Sequence, residues 1–306
     1  MAAIGFLSHD QRPLAAELVA DLAAWLIDRG HEVRLTEADA SRLGRHECAT
    51  PDEELAIGLD LLVGVGGDGT ILRAVDLATA DDVPVLGVNA GQLGYLTTVE
   101  PTGARAAVKR FLAGAYIVEE RMRLAGRIVR SDGSVQPIRP ALNEVLVERA
   151  ELGHTVRIEV TLDAAPFTSY VADGLILATP TGSTAYALSA RGPIVDPRHR
   201  AQLLVPVAPH MLFDRSLVLA PDTVVSLRVV GPRAGHLSVD GRSEGRIEVG
   251  DVVTCDGSGP SASGPGGAPP SIACSCRNSV CSRADADLAD PADLRALVLV
   301  AVTPVT

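Results

Sequence analysis

Apolar and polar positions alternate with two different periods along this chain, and the change falls near residue 120. Up to that point short apolar runs are separated by helical patterns. Ile4–Leu7 is a compact apolar run. Pro13 can open a helix that places Leu14, Leu18, Leu22, Trp25 and Leu26 on one face, and Gly30 can close it. Val33 and Leu35 suggest a second strand. Leu61–Val65 is continuously apolar and runs into Gly66-Gly67-Asp68-Gly69-Thr70. A helical stretch from Ile71 to Ala78 and another apolar run from Val83 to Val88 follow. Strand, loop, helix and strand in this order predict an α/β domain with a parallel sheet over residues 1–120.

Beyond residue 120 the period becomes two. Val156, Ile158, Val160 and Leu162 alternate with polar residues, Val225–Val229 does the same, and Ile247–Val253 continues the pattern. Asp132-Gly133, Asp240-Gly241 and Gly250-Asp251 supply turns between them. A β-rich, sandwich-like domain is therefore expected over 121–256. Residues 257–271 are all Gly, Pro, Ser or Ala, which builds no core, and 257–306 is expected to be a disordered tail.

Composition narrows the functions open to such a chain. Its 306 residues suffice for two domains, 47% of them are hydrophobic, and the net charge is −11. A strongly acidic protein is poorly suited to coating nucleic acid, so no nucleic-acid partner is expected. Lys109 is the only lysine among 27 basic residues, so no phosphate-loop lysine is available. Neither a signal segment nor an apolar run of membrane-spanning length is visible, and a cytoplasmic protein with free thiols is expected. The histidines are scattered. Cys274, Cys276 and Cys281 lack the paired spacing of a zinc site, so no protein-built metal site is expected.

Candidate chemistry concentrates in the glycine loop. Where a buried strand meets a helix, unpaired N–H groups and the helix dipole favour an anion, and Gly66, Gly67 and Gly69 let backbone approach a polyphosphate. Asp68 is out of place beside phosphate unless it has another task. A carboxylate there can accept the proton of an attacking hydroxyl or help hold Mg²⁺; the bland alternative is a turn that caps the helix.

Three further blocks give the loop a context: Asn89-Ala90-Gly91-Gln92-Leu93-Gly94-Tyr95-Leu96, Leu142-Asn143-Glu144, and Asp173 through Thr179-Pro180-Thr181-Gly182-Ser183-Thr184-Ala185-Tyr186. Together they resemble the NAD kinase family (inorganic polyphosphate/ATP-NAD kinases) over roughly residues 1–256. The resemblance implies transfer of a phosphoryl group from ATP or polyphosphate to the 2′-hydroxyl of the adenosine ribose of NAD, giving NADP. It implies that Asp68 is the proton acceptor, working by position because a carboxylate is a weak base. It places Gly69 against the nucleotide and Arg73 near phosphate or ribose. Asn143 and Glu144 match groups that bind adenine and ribose, and Asp173 matches an aspartate near the nicotinamide. Thr181, Thr184, Ala185 and Tyr186 match a loop closing over the dinucleotide, and Ala208 lies where relatives approach the ligand. A divalent cation, Mg²⁺, and assembly into a dimer or tetramer are implied as well.

Two departures stand out. Where the family reads S-A-G-G-P, this chain reads Ser189-Ala190-Arg191-Gly192-Pro193, and the arginine either adds a phosphate contact or crowds the loop if φ is positive there. The residues after 256 do not look like the family's closing segment. A reading frame shifted at Pro270 would permit a peptide over Ser271–Cys281 that does resemble it, so a frame error stands beside a natural extension, and the coding DNA decides. A lipid or sugar kinase with the same glycine loop would need Asp68 but not the Asn143 and Thr184 blocks. A non-catalytic NAD(P) sensor on the same fold would keep all of them.

Overall fold

A computed structural model describes residues 1–91, 94–257 and 297–302. The chain divides into two compact units, Met1–Glu119 with Ala262–Ala301, and Glu120–Ser261 with Val302–Thr306.

The first unit is built on one sheet. Strands β1 (Ala3–Ser8), β2 (Glu32–Thr36), β3 (Ala49–Thr50), β4 (Leu61–Gly66) and β5 (Val85–Asn89) are mutually parallel in the order β3-β2-β1-β4-β5. The Pro13–Ile27 helix (α1) and the Ala104–Leu112 helix (α4) bury Val19, Leu22, Leu26, Val108 and Phe111 against Ile4, Phe6, Val63, Val65 and Val88. Leu14, expected on the buried face of α1, is 49% exposed; Ala15 and Val19 take the inner positions. Glu37–Leu43 forms α2. The helix after the glycine loop, α3 (Asp68–Ala78), begins at Asp68 itself rather than at Ile71. It closes over Gly64, where a Cβ would lie 2.7 Å from Ile71 Cδ1.

β6 (Tyr116–Arg121) completes this sheet on the far side of a strand from the tail, Leu297–Val302, whose Val300 pairs antiparallel with Val85. The expectation of a disordered tail fails at those six residues, because Leu297-Val298-Leu299-Val300-Ala301-Val302 is an unbroken apolar, valine-rich run of the kind a sheet interior takes up. Cys274, Cys276 and Cys281 and the Gly/Pro/Ser/Ala segment beyond Gly257 lie outside the described residues. Gln92 and Leu93 lie outside them too.

The second unit is a sandwich of two antiparallel sheets. One contains β7 (Leu124–Val129), β8 (Val135–Ala141), β10 (Val156–Leu162), β11 (Ala165–Ala172), β15 (Val225–Val230) and β18 (Val252–Asp256). The other contains β9 (Glu144–Arg149), β12 (Gly174–Ala178), β13 (Gln202–Val207), β14 (Leu217–Leu219), β16 (Gly235–Val239) and β17 (Arg242–Ile247), in the order β14-β13-β12-β9-β16-β17. Ile128, Ile158, Val160, Leu227 and Val253 meet Val145, Val147, Leu175, Leu177 and Leu237 between them. The Ile247–Val253 run is not one strand: residues 248–251 turn between β17 and β18, and Asp251 holds the turn by accepting from the Glu248 and Ser131 N–H groups. Cys255, buried in this core, has its thiol pushed up to about 12 by burial and by the neighbouring Asp256.

Arg191 follows the short Tyr186–Ser189 helix (α5) with φ +65°, the left-handed region in which a side chain is strained. Arg191→Gly is expected to stabilise the protein by about 0.5–1 kcal/mol, part of the relief being offset by the freer unfolded chain. A urea-denaturation midpoint that does not rise would contradict this.

Candidate active site

Each unit carries one polar constellation. In the first, the chain leaves β4 through Gly66 and Gly67 and enters α3 directly. Gly67 is the N-cap residue and supplies no side-chain cap. Asp68 does not cap the helix either. Its Oδ2 accepts from the Tyr95 N–H at 3.1 Å and its Oδ1 from the Leu96 N–H at 3.0 Å. Gly94 lies against this carboxylate, since a Cβ there would come within 3.0 Å of Asp68 Cγ. Asn89, at the end of β5, accepts the Gly91 N–H at 3.0 Å and so shapes the start of the same loop. The two glycine-bearing blocks are thus halves of one structure, with Asp68 joining them. Arg73, one turn into α3, is paired with Asp52 at 2.5 Å on the surface.

In the second unit the Leu142–Glu144 and Thr179–Tyr186 segments are stitched together. Thr179 N–H donates to Asn143 O at 2.9 Å and its hydroxyl to Leu142 O at 2.5 Å. Gly182 N–H donates to Thr179 Oγ1 at 3.0 Å. Gly182 lies flat on the Asn143 backbone: a Cβ would sit 2.7 Å from the Asn143 Cα and nearer still to its carbonyl. This close approach is why the block needs glycine there. Ser183 anchors the following turn through its bonds with Pro180 O and Val195 N. Thr184 Oγ1 donates to Thr181 O, and Ala185 ends the Thr181–Thr184 turn where α5 begins with Tyr186.

A residue that pattern reading took only for a turn organises this cradle. Asp240, between β16 and β17 with φ +48°, accepts the N–H groups of Leu142, Asn143 and Glu144 at 2.8–2.9 Å. Its carboxylate thereby orients the buried Asn143 and Glu144, whose Oε2 is buried without a partner. Asp173 is held by Arg149 Nη1 at 2.6 Å. Tyr186 is half-exposed, and its phenol is raised by burial and by the Glu148 and Asp173 carboxylates. Ala208 stands exposed just past β13 with φ +44°.

Burial first, and then the Asp240 charge, push Glu144 from 4.5 to about 7, while the Tyr186 N–H pulls it back. Between those values the folded chain keeps a proton that the unfolded chain has released. Stability from this group is therefore full below pH 4.5 and lost as pH rises through 7. Glu144→Gln should match wild-type stability near pH 4 and exceed it at pH 8 by on the order of 3 kcal/mol. Parallel stability–pH curves for the two proteins would contradict the assignment.

A strand–glycine loop–helix junction in one unit, and a sandwich holding a buried carboxylate oxygen without a partner in the other, are the features expected of a nucleotide phosphotransferase of the glycine-loop class. Comparison with known proteins narrows this class. The ATP-NAD kinase N-terminal domain model matches residues 4–116 and the ATP-NAD kinase C-terminal domain model residues 142–262. An NAD kinase of Symbiobacterium thermophilum is 40% identical over 246 residues, 80% of this chain and 87% of that one. Among solved structures, yeast NADH kinase complexed with NADH matches at 27% identity and a TM-score of 0.78, over 84% of this chain and 80% of that one. An NAD kinase from Archaeoglobus fulgidus in complex with ATP matches at 26% identity and a TM-score of 0.64, over 83% and 89%. The chain belongs to the ATP-NAD kinase family, and its function is that of an NAD kinase.

Proposed function

We propose that this chain transfers the terminal phosphoryl group of ATP to the 2′-hydroxyl of the adenosine ribose of NAD, giving NADP, with Asp68 as the proton acceptor. The observation that carries this reading is the carboxylate of Asp68, held in one orientation by two backbone N–H groups beside the Gly66–Gly69 loop. Each carboxylate oxygen that accepts one N–H keeps a second lone pair for a hydroxyl proton. Gly66, Gly67 and Gly69 offer backbone to the donor phosphates. In the sandwich unit, the Asn143 amide and the Glu144 carboxylate suit the adenine and ribose, Asp173 suits the nicotinamide side, and Thr181, Thr184, Ala185 and Tyr186 close over the dinucleotide. Ala208 is assigned to the same ligand. Arg73 would have to leave Asp52 to reach a phosphate.

Among the described residues no cluster of three or more His, Cys, Asp or Glu could hold a metal ion. A Mg²⁺ ion arriving with the nucleotide phosphates would supply charge neutralisation, and Asp68 is the carboxylate of the glycine loop that could help hold it. Assembly as a dimer or tetramer belongs to the same reading and rests on the family resemblance. No helix among the described residues is long and apolar enough to cross a membrane; a cytoplasmic location is inferred.

Initial rates with a panel of donors and acceptors test the reading. NADP should appear with ATP and Mg²⁺, and a diacylglycerol or a free sugar should accept nothing. Transfer to lipid or sugar but not to NAD would overturn it, and tight NADP binding without turnover would favour a sensor.

A further inference from the structure

The sheet order of the first unit reverses between β1 and β4: β2 and β3 extend from β1 on one side, β5 from β4 on the other. In open α/β sheets the crevice at the carboxyl ends of two such strands is where ligands bind. Two loops emerge there, the glycine loop after β4 and the segment His9–Arg12 after β1. Arg12 is the last residue before α1.

Its guanidinium sits between the two glycine blocks. A Cβ on Gly91 would collide with Arg12 Nη1 and lie 2.9 Å from Nη2, and one on Gly67 would lie 4.0 Å from Nη2. Nη1 is buried and has no hydrogen-bond partner. Buried donors are nearly always satisfied, and an unsatisfied cationic one marks a place where an acceptor arrives. Other cations are occupied elsewhere: Arg73 is paired with Asp52, and Lys109 lies over the Trp25 ring at 5.9 Å. A planar fork of N–H donors beside the glycine backbone of this loop suits the oxygens of a polyphosphate chain.

We propose that Arg12 is a binding residue for the phosphoryl donor and clamps the triphosphate of ATP against the Gly66–Gly69 loop. The identity of the donor rests on the NAD kinase reading. The choice of donor over acceptor rests on Arg12 belonging to the glycine-loop unit, whereas Asn143, Glu144, Asp173 and Tyr186 belong to the other.

Binding of Mg-ATP, of inorganic tripolyphosphate and of NAD, each measured by calorimetry on the full chain, tests this. Arg12→Met should weaken ATP and tripolyphosphate about ten- to hundredfold and raise the KM for ATP, with NAD affinity within about twofold of wild type. Arg12→Lys, which keeps the charge but not the fork, should recover part of the loss and serves if the Met variant folds poorly. Unchanged ATP and tripolyphosphate affinity, or equal losses for ATP and NAD, would overturn the proposal. A wild-type chain that binds ATP but makes no NADP would sink the NAD kinase reading alone, because tripolyphosphate binding still decides the role of Arg12.

Discussion

Asp68→Asn is expected to slow NADP formation by about 10²- to 10⁴-fold, the usual contribution of a positioned general base. The change is nearly isosteric but replaces one carboxylate oxygen with an NH₂ group and leaves an amide oxygen too weakly basic to take the ribose proton. It also has a structural side. The wild-type carboxylate accepts two N–H groups, from Tyr95 and Leu96. An asparagine can accept only one, and its NH₂ group would face the other N–H. Some loosening of the Gly94–Leu96 loop is therefore expected, and it separates the two roles. Loss of the base lowers kcat with ATP and NAD dissociation constants held within a few-fold. Loss of loop geometry alone raises the dissociation constants while kcat at saturation recovers. A variant that turns over at the wild-type rate would remove Asp68 from the chemistry.

The second large effect belongs to Asp240. Asp240→Gly leaves the Leu142, Asn143 and Glu144 N–H groups without their acceptor. At about 1–3 kcal/mol for each buried donor left unpaired, with partial rescue by water, a loss on the order of 3–5 kcal/mol is expected. Glycine is the informative replacement because φ is +48° here, and alanine would add backbone strain to the lost bonds. Removing the Asp240 charge should also lower the Glu144 pKa from about 7, since that charge is its second cause. NAD affinity should fall with stability, because Asn143 and Glu144 are oriented by the bonds that Asp240 accepts. Asp240→Asn, which keeps one acceptor oxygen, should lie between. Urea midpoints and NAD titrations read both quantities, and an Asp240→Gly protein that unfolds at the wild-type midpoint would contradict the cradle described above.

Residues with local chemistry were readable in the sequence. The Leu61–Val65 run ending in glycines, and the alternation of Val156–Leu162, each fix an element from within a few positions. What was not readable depended on partners far along the chain. Asp240 looked like an ordinary hairpin Asp-Gly, and nothing nearby in sequence says that its carboxylate reaches back 96–98 residues. Nothing near Arg12 in the sequence marks it as a ligand residue, and only the parallel pairing of β1 with β4 brings it to the glycines. Helix faces were legible to within a residue or two: Leu14 faces out because α1 turns its Ala15–Val19–Leu22 stripe to the sheet. The Leu297–Val302 strand was hidden by the composition of the segment before it. The Arg-for-Gly change at position 191 is legible in the sequence, but its φ of +65° is not, because it depends on the turn after α5.

The most direct test of the central claim follows one phosphoryl group. The full chain is incubated with NAD, Mg²⁺ and ATP labelled in its terminal phosphate, and the products are separated and reduced with an NADP-specific dehydrogenase. The account predicts label in a dinucleotide that this dehydrogenase accepts, present with wild-type protein and nearly absent with Asp68→Asn. Label that stays in ATP or inorganic phosphate, or that enters NADP at an equal rate with Asp68→Asn, would contradict it.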